Sequence, residues 1–168
     1  MRPENLSDDF TGTTEVIAHA SQWAINQGWS VSAVCCIYAT APFNQEEDIQ
    51  KRFSKLNIKK WDYVISVTNY ASSVYRAFVE RKEGGVEMLF PENFLARSQD
   101  FPLALHDAAQ FYWGRPSSWI EGKPGLSHST GTVMIPRWRV QDIDDPDDWL
   151  RAELLAPSIH KLIGNLNA

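Results

Sequence analysis

Apolar residues recur at helical spacing in TTEVIAHASQWAINQG, where Val16, Ile17, Ala20, Trp23 and Ala24 share one face, and the run stops at Gly28. The pattern then changes. VSAVCCIYAT, 31–40, is apolar at almost every position and rich in β-branched residues, which predicts a central strand buried on both sides and ended by Ala41 and Pro42. A second helical period follows in NQEEDIQKRFSKL, with Ile49, Phe53 and Leu56 on one face and Asn44 and Glu47 spaced as a capping pair. DYVISVT, 62–68, returns to strand character. Strand, helix and strand in succession predict a parallel crossover, hence an α/β fold.

The middle of the chain reads differently. SVYRAFVERKEGGVEML alternates on both sides of Gly84 and Gly85, as an antiparallel hairpin would. Such a hairpin either pairs with another subunit or decorates the surface, and 70–105 is taken as a projecting arm. The chain returns through RSQDFPLALHDAAQFYWG and a short helix near PSSWIEG. Two further strands are expected in TVMIP and WRVQDID, and a last helix begins at Pro146. No linker or repeat divides the 1–168 unit.

Composition narrows the function classes. At 168 residues and 43% apolar, the chain can bury one real core. Sixteen basic against 21 acidic residues leave no basic footprint for nucleic acid or anionic membrane, so a small-molecule ligand is expected. The first residues lack the basic and apolar regions of a leader, and no apolar run approaches a membrane span, so the expected location is cytoplasmic. Adjacent Cys35 and Cys36 point to opposite faces of a strand and read as reduced structural thiols.

The densest chemistry lies in PRWRVQDIDDPDDW, where five carboxylates fall in the seven positions 142–148. Asp145 before Pro146 is a natural helix N-cap, and Asp147 and Asp148 then lie in the first turn, where the helix dipole favours negative charge. Asp142 and Asp144 are left over. On an extended segment they share one face, and they read either as a solvated acidic end or as ligands for a hard cation such as Mg²⁺ held with substrate phosphates. Arg97 and Gln99 in RSQD either orient an anion or belong to a surface ion pair. His106 beside Asp107 is a base, a ligand or a structural histidine. The aromatics Phe111, Tyr112, Trp113, Trp119 and Trp138 stack on sugar or build core.

Taken jointly, RPENLSDDFTGTTEVIAHA, CCIYATAPF, RSQD, HDAAQFYWG and IPRWRVQDIDDPDDWLRAEL resemble, in order and spacing, the nonulosonate cytidylyltransferases. The resemblance covers Arg2 to about Leu155. It implies a doubly wound, mostly parallel sheet of the nucleotide-diphospho-sugar transferase type with a small antiparallel dimerisation arm. It also implies transfer of CMP from CTP to a nonulosonic acid, with release of pyrophosphate and a need for Mg²⁺, in the synthesis of surface glycans or glycosylated flagellin. Asp142 and Asp144 match the metal-binding Asp-x-Asp. Arg97 matches an arginine of the sugar pocket, Asp107 and Phe111 fall at a polar and an aromatic sugar contact, and Arg76 lies where an arm residue reaches the sugar. Tyr38 stands where sialic-acid-activating members carry glutamine, so pseudaminic acid is the expected acceptor. The glycine-rich, basic phosphate loop that opens the family pattern has no counterpart here. The resemblance therefore implies an incomplete domain lacking its first strand or strands, a homodimer, and weak or absent activity of these residues alone. Two other readings remain, a non-catalytic fragment of such an enzyme and a carbohydrate-binding module on the aromatic cluster.

Overall fold

The structure, a computed structural model, describes residues 2–57 and 60–166, so the extreme ends of the 1–168 unit lie outside the described residues. Helix α1 (Thr13–Asn26) leads to strand β1 (Val34–Ile37), helix α2 (Glu46–Asn57) and strand β2 (Tyr63–Asn69). A small hairpin of β3 (Phe78–Glu80) and β4 (Val86–Met88) follows, then the long strand β5 (Leu105–Gly114). Helix α3 (Pro116–Ile120), strand β6 (Thr130–Met134) and helix α4 (Pro146–Leu166) complete the chain.

The main sheet has the order β1-β5-β2-β6. Strands β1, β2 and β6 run in one direction, and β5 runs against both of its neighbours. Helices cover both faces, as a doubly wound fold requires. On one face Tyr63, Ile65 and Val67 of β2 pack with Ile17 of α1 and Trp119 of α3. On the other, Val64 packs with Leu56 of α2, Phe111 of β5 and Val133 of β6. Because side chains alternate along a strand, β2 feeds both cores at once, and every residue from Tyr63 to Thr68 is buried. Trp119 lies so close over Gly114 that any Cβ there would collide with its ring and with Tyr63.

Four elements differ from the sequence reading. Strand β1 lies at the sheet edge, with Val34, Cys35 and Cys36 half-buried and Ile37 54% exposed, so its apolar run marks an edge with no strand beyond it among the described residues. Helix α1 uses only part of its apolar stripe: Ile17 is buried, but Trp23 stays 51% exposed. WRVQDID forms no strand. It makes a 3-10 turn over Arg137–Arg139 and then runs irregularly into α4, because Gln141 and its neighbours bond to side chains rather than to a ladder. The Asn44–Glu47 capping pair does not form either. Gln45 accepts the first helical amides of α2 through its carbonyl, and the Asn44 amide instead donates to the Gln110 carbonyl.

The arm between β2 and β5 is a two-stranded hairpin turned by Gly84 and Gly85, whose φ values of 88° and 82° favour glycine. Phe78, Val86, Phe94 and Leu95 are all more than 60% exposed on it. No helix among the described residues is long and apolar enough to cross a membrane.

Candidate active site

A cavity of about 420 Å³ opens where β2 and β5 approach the 3-10 turn and the start of α4. Asp107, Asp142, Asp144 and Asp148 face it, against only Arg137 and Arg151, with His106 and Thr68 on the wall. Four carboxylates against two guanidinium groups leave the cavity negative, a field suited to a cation.

The acidic loop is assembled from α4 outward. Asp145 caps the helix as its sequence position foretold, its Oδ1 accepting from the amides of Asp147 (2.8 Å) and Asp148 (2.9 Å). Asp148 does more than complement the helix dipole. Its Oδ1 accepts from Gln141 Nε2 at 2.9 Å and its Oδ2 from the Asp144 amide at 3.2 Å, so one carboxylate ties the strand-like loop to the helix. Gln141, 4% exposed, also donates to the Asp142 carbonyl. Its neighbour Arg139, equally buried, is paired with Asp48 of α2 at 2.5 Å and receives the Gln110 amide on its carbonyl. The loop bearing Asp142 and Asp144 is thus anchored at both ends by buried polar contacts. Asp142 Oδ1 is buried with no hydrogen-bond partner, and Asp144 is exposed. Hard oxygen donors, one of them orphaned beside a negative cavity, fit an open Mg²⁺ site completed by phosphate and water. Among the described residues no group of three or more His, Cys, Asp or Glu side chains is placed to hold a metal ion, so a cation here would take its remaining ligands from substrate and water.

The wall formed by β5 is shaped by a bulge. Ala109 holds φ 48°, and the pairing of β5 with β2 slips between Ile65 and Val67. Ser66, fully buried, fills the gap: its Oγ accepts from the amides of both Gln110 (3.2 Å) and Phe111 (3.1 Å). Asp107 Oδ1 takes the Ala109 amide at 2.8 Å, and Asp107 Oδ2 takes the Tyr112 hydroxyl at 2.7 Å. Burial first, then this bond, pushes the Tyr112 hydroxyl well above its ordinary pKa and keeps it a donor. Tyr38 packs on Tyr112, ring centroids 5.1 Å apart, and both line a smaller cavity that Asp107 also faces.

The candidate residues therefore separate. Asp142, Asp144 and Asp107 converge on the large cavity, and Tyr38 stands one side chain away through Tyr112. Phe111 must be corrected: it is 0% exposed inside the core between the sheet and α2, so it presents no face to a ligand. Arg97 is exposed and forks onto Asp100, three residues along, and Gln99 beside it is exposed. Arg76 lines a hollow on the arm with Phe78, Val86 and Met88. None of these three faces the acidic cavity. The aromatic cluster does not form one sugar platform either, since Phe111 and Trp119 are core and Trp138 is a separate, 42% exposed side chain. Cys35 and Cys36 are free thiols, and burial pushes Cys35 up to about 12 and Cys36 in the same direction, which disfavours the thiolate. Sequence reasoning missed Ser66, Arg137, Asp148 and Arg151. A serine amid the apolar VISVT was the available signal for the first.

No family model matches the chain. It is 30% identical over 161 residues to the pseudaminic acid cytidylyltransferase of Campylobacter jejuni, a match covering 96% of this chain and 69% of that protein. It is 31% identical over 144 residues to a Helicobacter pylori protein named pseudaminic acid cytidylyltransferase and UDP-2,4-diacetamido-2,4,6-trideoxy-beta-L-altropyranose hydrolase, a match covering 85% of this chain and 27% of that protein. Among solved structures, 4-diphosphocytidyl-2C-methyl-D-erythritol synthase from Anaerococcus prevotii superposes with a TM-score of 0.51 at 13% identity, over 87% of this chain and 65% of that one, a likeness of fold. The acid-lined cavity thus sits in a nucleotidyltransferase fold, and the chain belongs to the pseudaminic acid cytidylyltransferase family.

Proposed function

We propose that the chain transfers CMP from CTP to a nonulosonic acid, pseudaminic acid being the expected acceptor, and releases pyrophosphate. The observation that supports this most is the pair Asp142 and Asp144 in a negative cavity, with a buried carboxylate oxygen left unpartnered. Mg²⁺ bound there would neutralise phosphate charge and polarise the α-phosphate. The remaining chemistry belongs to the chain itself. Arg137 and Arg151 stand on the same cavity, where their guanidinium forks suit phosphate or carboxylate oxygens. Asp107, fixed on two sides, offers the sugar a rigid polar wall. The reaction is an in-line attack by the anomeric hydroxyl on the α-phosphorus. We place the enzyme in the cytoplasm, where CTP is made, and as a homodimer through the apolar arm. In that dimer Arg76 and Arg97, remote from the cavity of their own chain, would act from the arm.

Pyrophosphate release is the test, with CTP, Mg²⁺ and pseudaminic acid, alongside metal-dependent binding of the CMP-sugar product. Sugar-dependent release, or product binding that requires Mg²⁺, supports the reading. Absence of both overturns it. N-acetylneuraminic acid offered in competition should show the lower kcat/KM, and the reverse order would overturn the choice of acceptor.

A further inference from the structure

Among the side chains lining the acidic cavity, His106 is the one imidazole. His106 on β5 places its Nδ1 2.7 Å from the Asp107 carbonyl oxygen. A carbonyl only accepts, so Nδ1 carries the hydrogen and the neutral ring keeps its lone pair on Nε2. Tyr70, at the end of β2, packs its ring against the imidazole with centroids 4.8 Å apart. The ring is therefore held by a hydrogen bond on one side and a ring contact on the other.

Of the other acceptors on the wall, Thr68 Oγ1 and Gln141 Oε1 have no partner, but a hydroxyl and an amide oxygen are too weakly basic to hold a proton near neutral pH. Each oxygen of Asp107 already accepts one hydrogen bond, from the Ala109 amide and from the Tyr112 hydroxyl, which fixes the carboxylate in place. Each oxygen of Asp148 likewise accepts one, from Gln141 and from the Asp144 amide, and so is held against the loop. Asp142 and Asp144 are the proposed metal ligands, and Arg137 and Arg151 have no lone pair to offer. Resting on the proposed reaction, the geometry points to His106 Nε2 as the group that accepts the proton of the attacking hydroxyl, which makes His106 a catalytic residue. The step balances within the substrates. As the sugar oxygen bonds to the α-phosphorus, its proton passes to Nε2. The bond from that phosphorus to the bridging oxygen breaks, and pyrophosphate leaves with the electron pair. The imidazolium then returns its proton to solvent.

Two replacements separate catalysis from structure. His106→Asn keeps an amide donor at the Nδ1 position for the Asp107 carbonyl but removes Nε2. His106→Gln keeps a polar atom at the Nε2 position, able to hold the hydroxyl but not to take its proton. The test uses the 168-residue chain labelled with ¹⁵N-histidine. Imidazole ¹⁵N signals are followed as pseudaminic acid is added with Mg²⁺, and pyrophosphate release is measured on the same proteins. The free protein should show the Nδ1–H tautomer, and sugar should move Nε2 of His106 and leave His19, His128 and His160 still. His106→Gln should keep the sugar KM and lose about 10²–10⁴ in kcat, the usual worth of a general base. His106→Asn should lose both. An Nε2 signal that stays still while sugar binds, or a His106→Gln enzyme with unchanged kcat, overturns the assignment and leaves the proposed function standing. A chain that binds neither sugar nor CTP overturns that function and this assignment together.

Discussion

The acidic cavity and the hairpin arm come from the same chain and are built on opposite terms. Around the cavity buried polar side chains reach neighbours distant in the sequence, Ser66 on β5, Gln110 on Arg139 and Arg139 on α2, while Asp148 closes back on the Asp142–Asp144 loop. On the arm the contacts are local, Arg97 to Asp100 and Arg81 to Glu83, and the large apolar side chains point to water. A cavity lined by four carboxylates needs long-range polar scaffolding. An arm whose apolar surface is this open gains stability from whatever covers it.

The largest expected effect lies at the cavity. Asp142→Asn or Asp144→Asn should nearly abolish CMP transfer, while Asp147→Asn should cost about 0.3–1 kcal/mol of stability and leave turnover in place. Equal turnover from all three at saturating Mg²⁺ would erase the distinction between ligand and helix-dipole residue. Next comes the scaffold beneath. Ser66→Ala leaves two buried amides of the β5 bulge without an acceptor and should destabilise the fold by about 1–3 kcal/mol in urea unfolding. A change near zero would mean the bulge is held by something else.

Smaller effects sharpen the contrast from other directions. Asp62 accepts from Ser118 at 2.8 Å and Lys123 at 3.1 Å, and these bonds, the Ser118 bond first, hold its carboxyl below the ordinary range. Its contribution is therefore complete above the ordinary carboxylate pKa of about 3.9 and is lost as pH falls through its lower folded value. Asp62→Asn should flatten the acid limb of stability against pH, and an unchanged limb would show the pair to be idle. Smallest for the monomer is Arg97→Ala, expected to cost about 0–1 kcal/mol because both it and its partner Asp100 are exposed. If the arm acts across a dimer, the same change should lower turnover far more than stability, and Phe94→Ser should weaken association.

What the sequence told follows the same division. The helical periods, the strand character of DYVISVT, the Gly84–Gly85 turn and the Asp145 cap were readable because each depends on residues a few positions apart. Strand β5 was not, although it is the longest: the bulge at Ala109 breaks its alternation, and its burial is set by neighbours on both sides. WRVQDID looked like a strand because its apolar and polar residues alternate, yet its polar members bond to α4 and leave no ladder. Phe111 shows the limit of motif transfer, since its place in HDAAQFYWG is kept while its side chain points into the core. Asp148 looked like a dipole residue because spacing alone does not show that Gln141 and the Asp144 amide fold back onto it.

The proposed reaction depends above all on Asp142 and Asp144 as ligands of Mg²⁺. Calorimetric titration of the CMP-pseudaminic acid product, with and without Mg²⁺, into the wild-type chain and the Asp142→Asn and Asp147→Asn variants tests it most directly. Binding should depend on Mg²⁺ in the wild type and in Asp147→Asn, and be lost in Asp142→Asn. Binding that is indifferent to Mg²⁺, or equally strong in all three proteins, would contradict it.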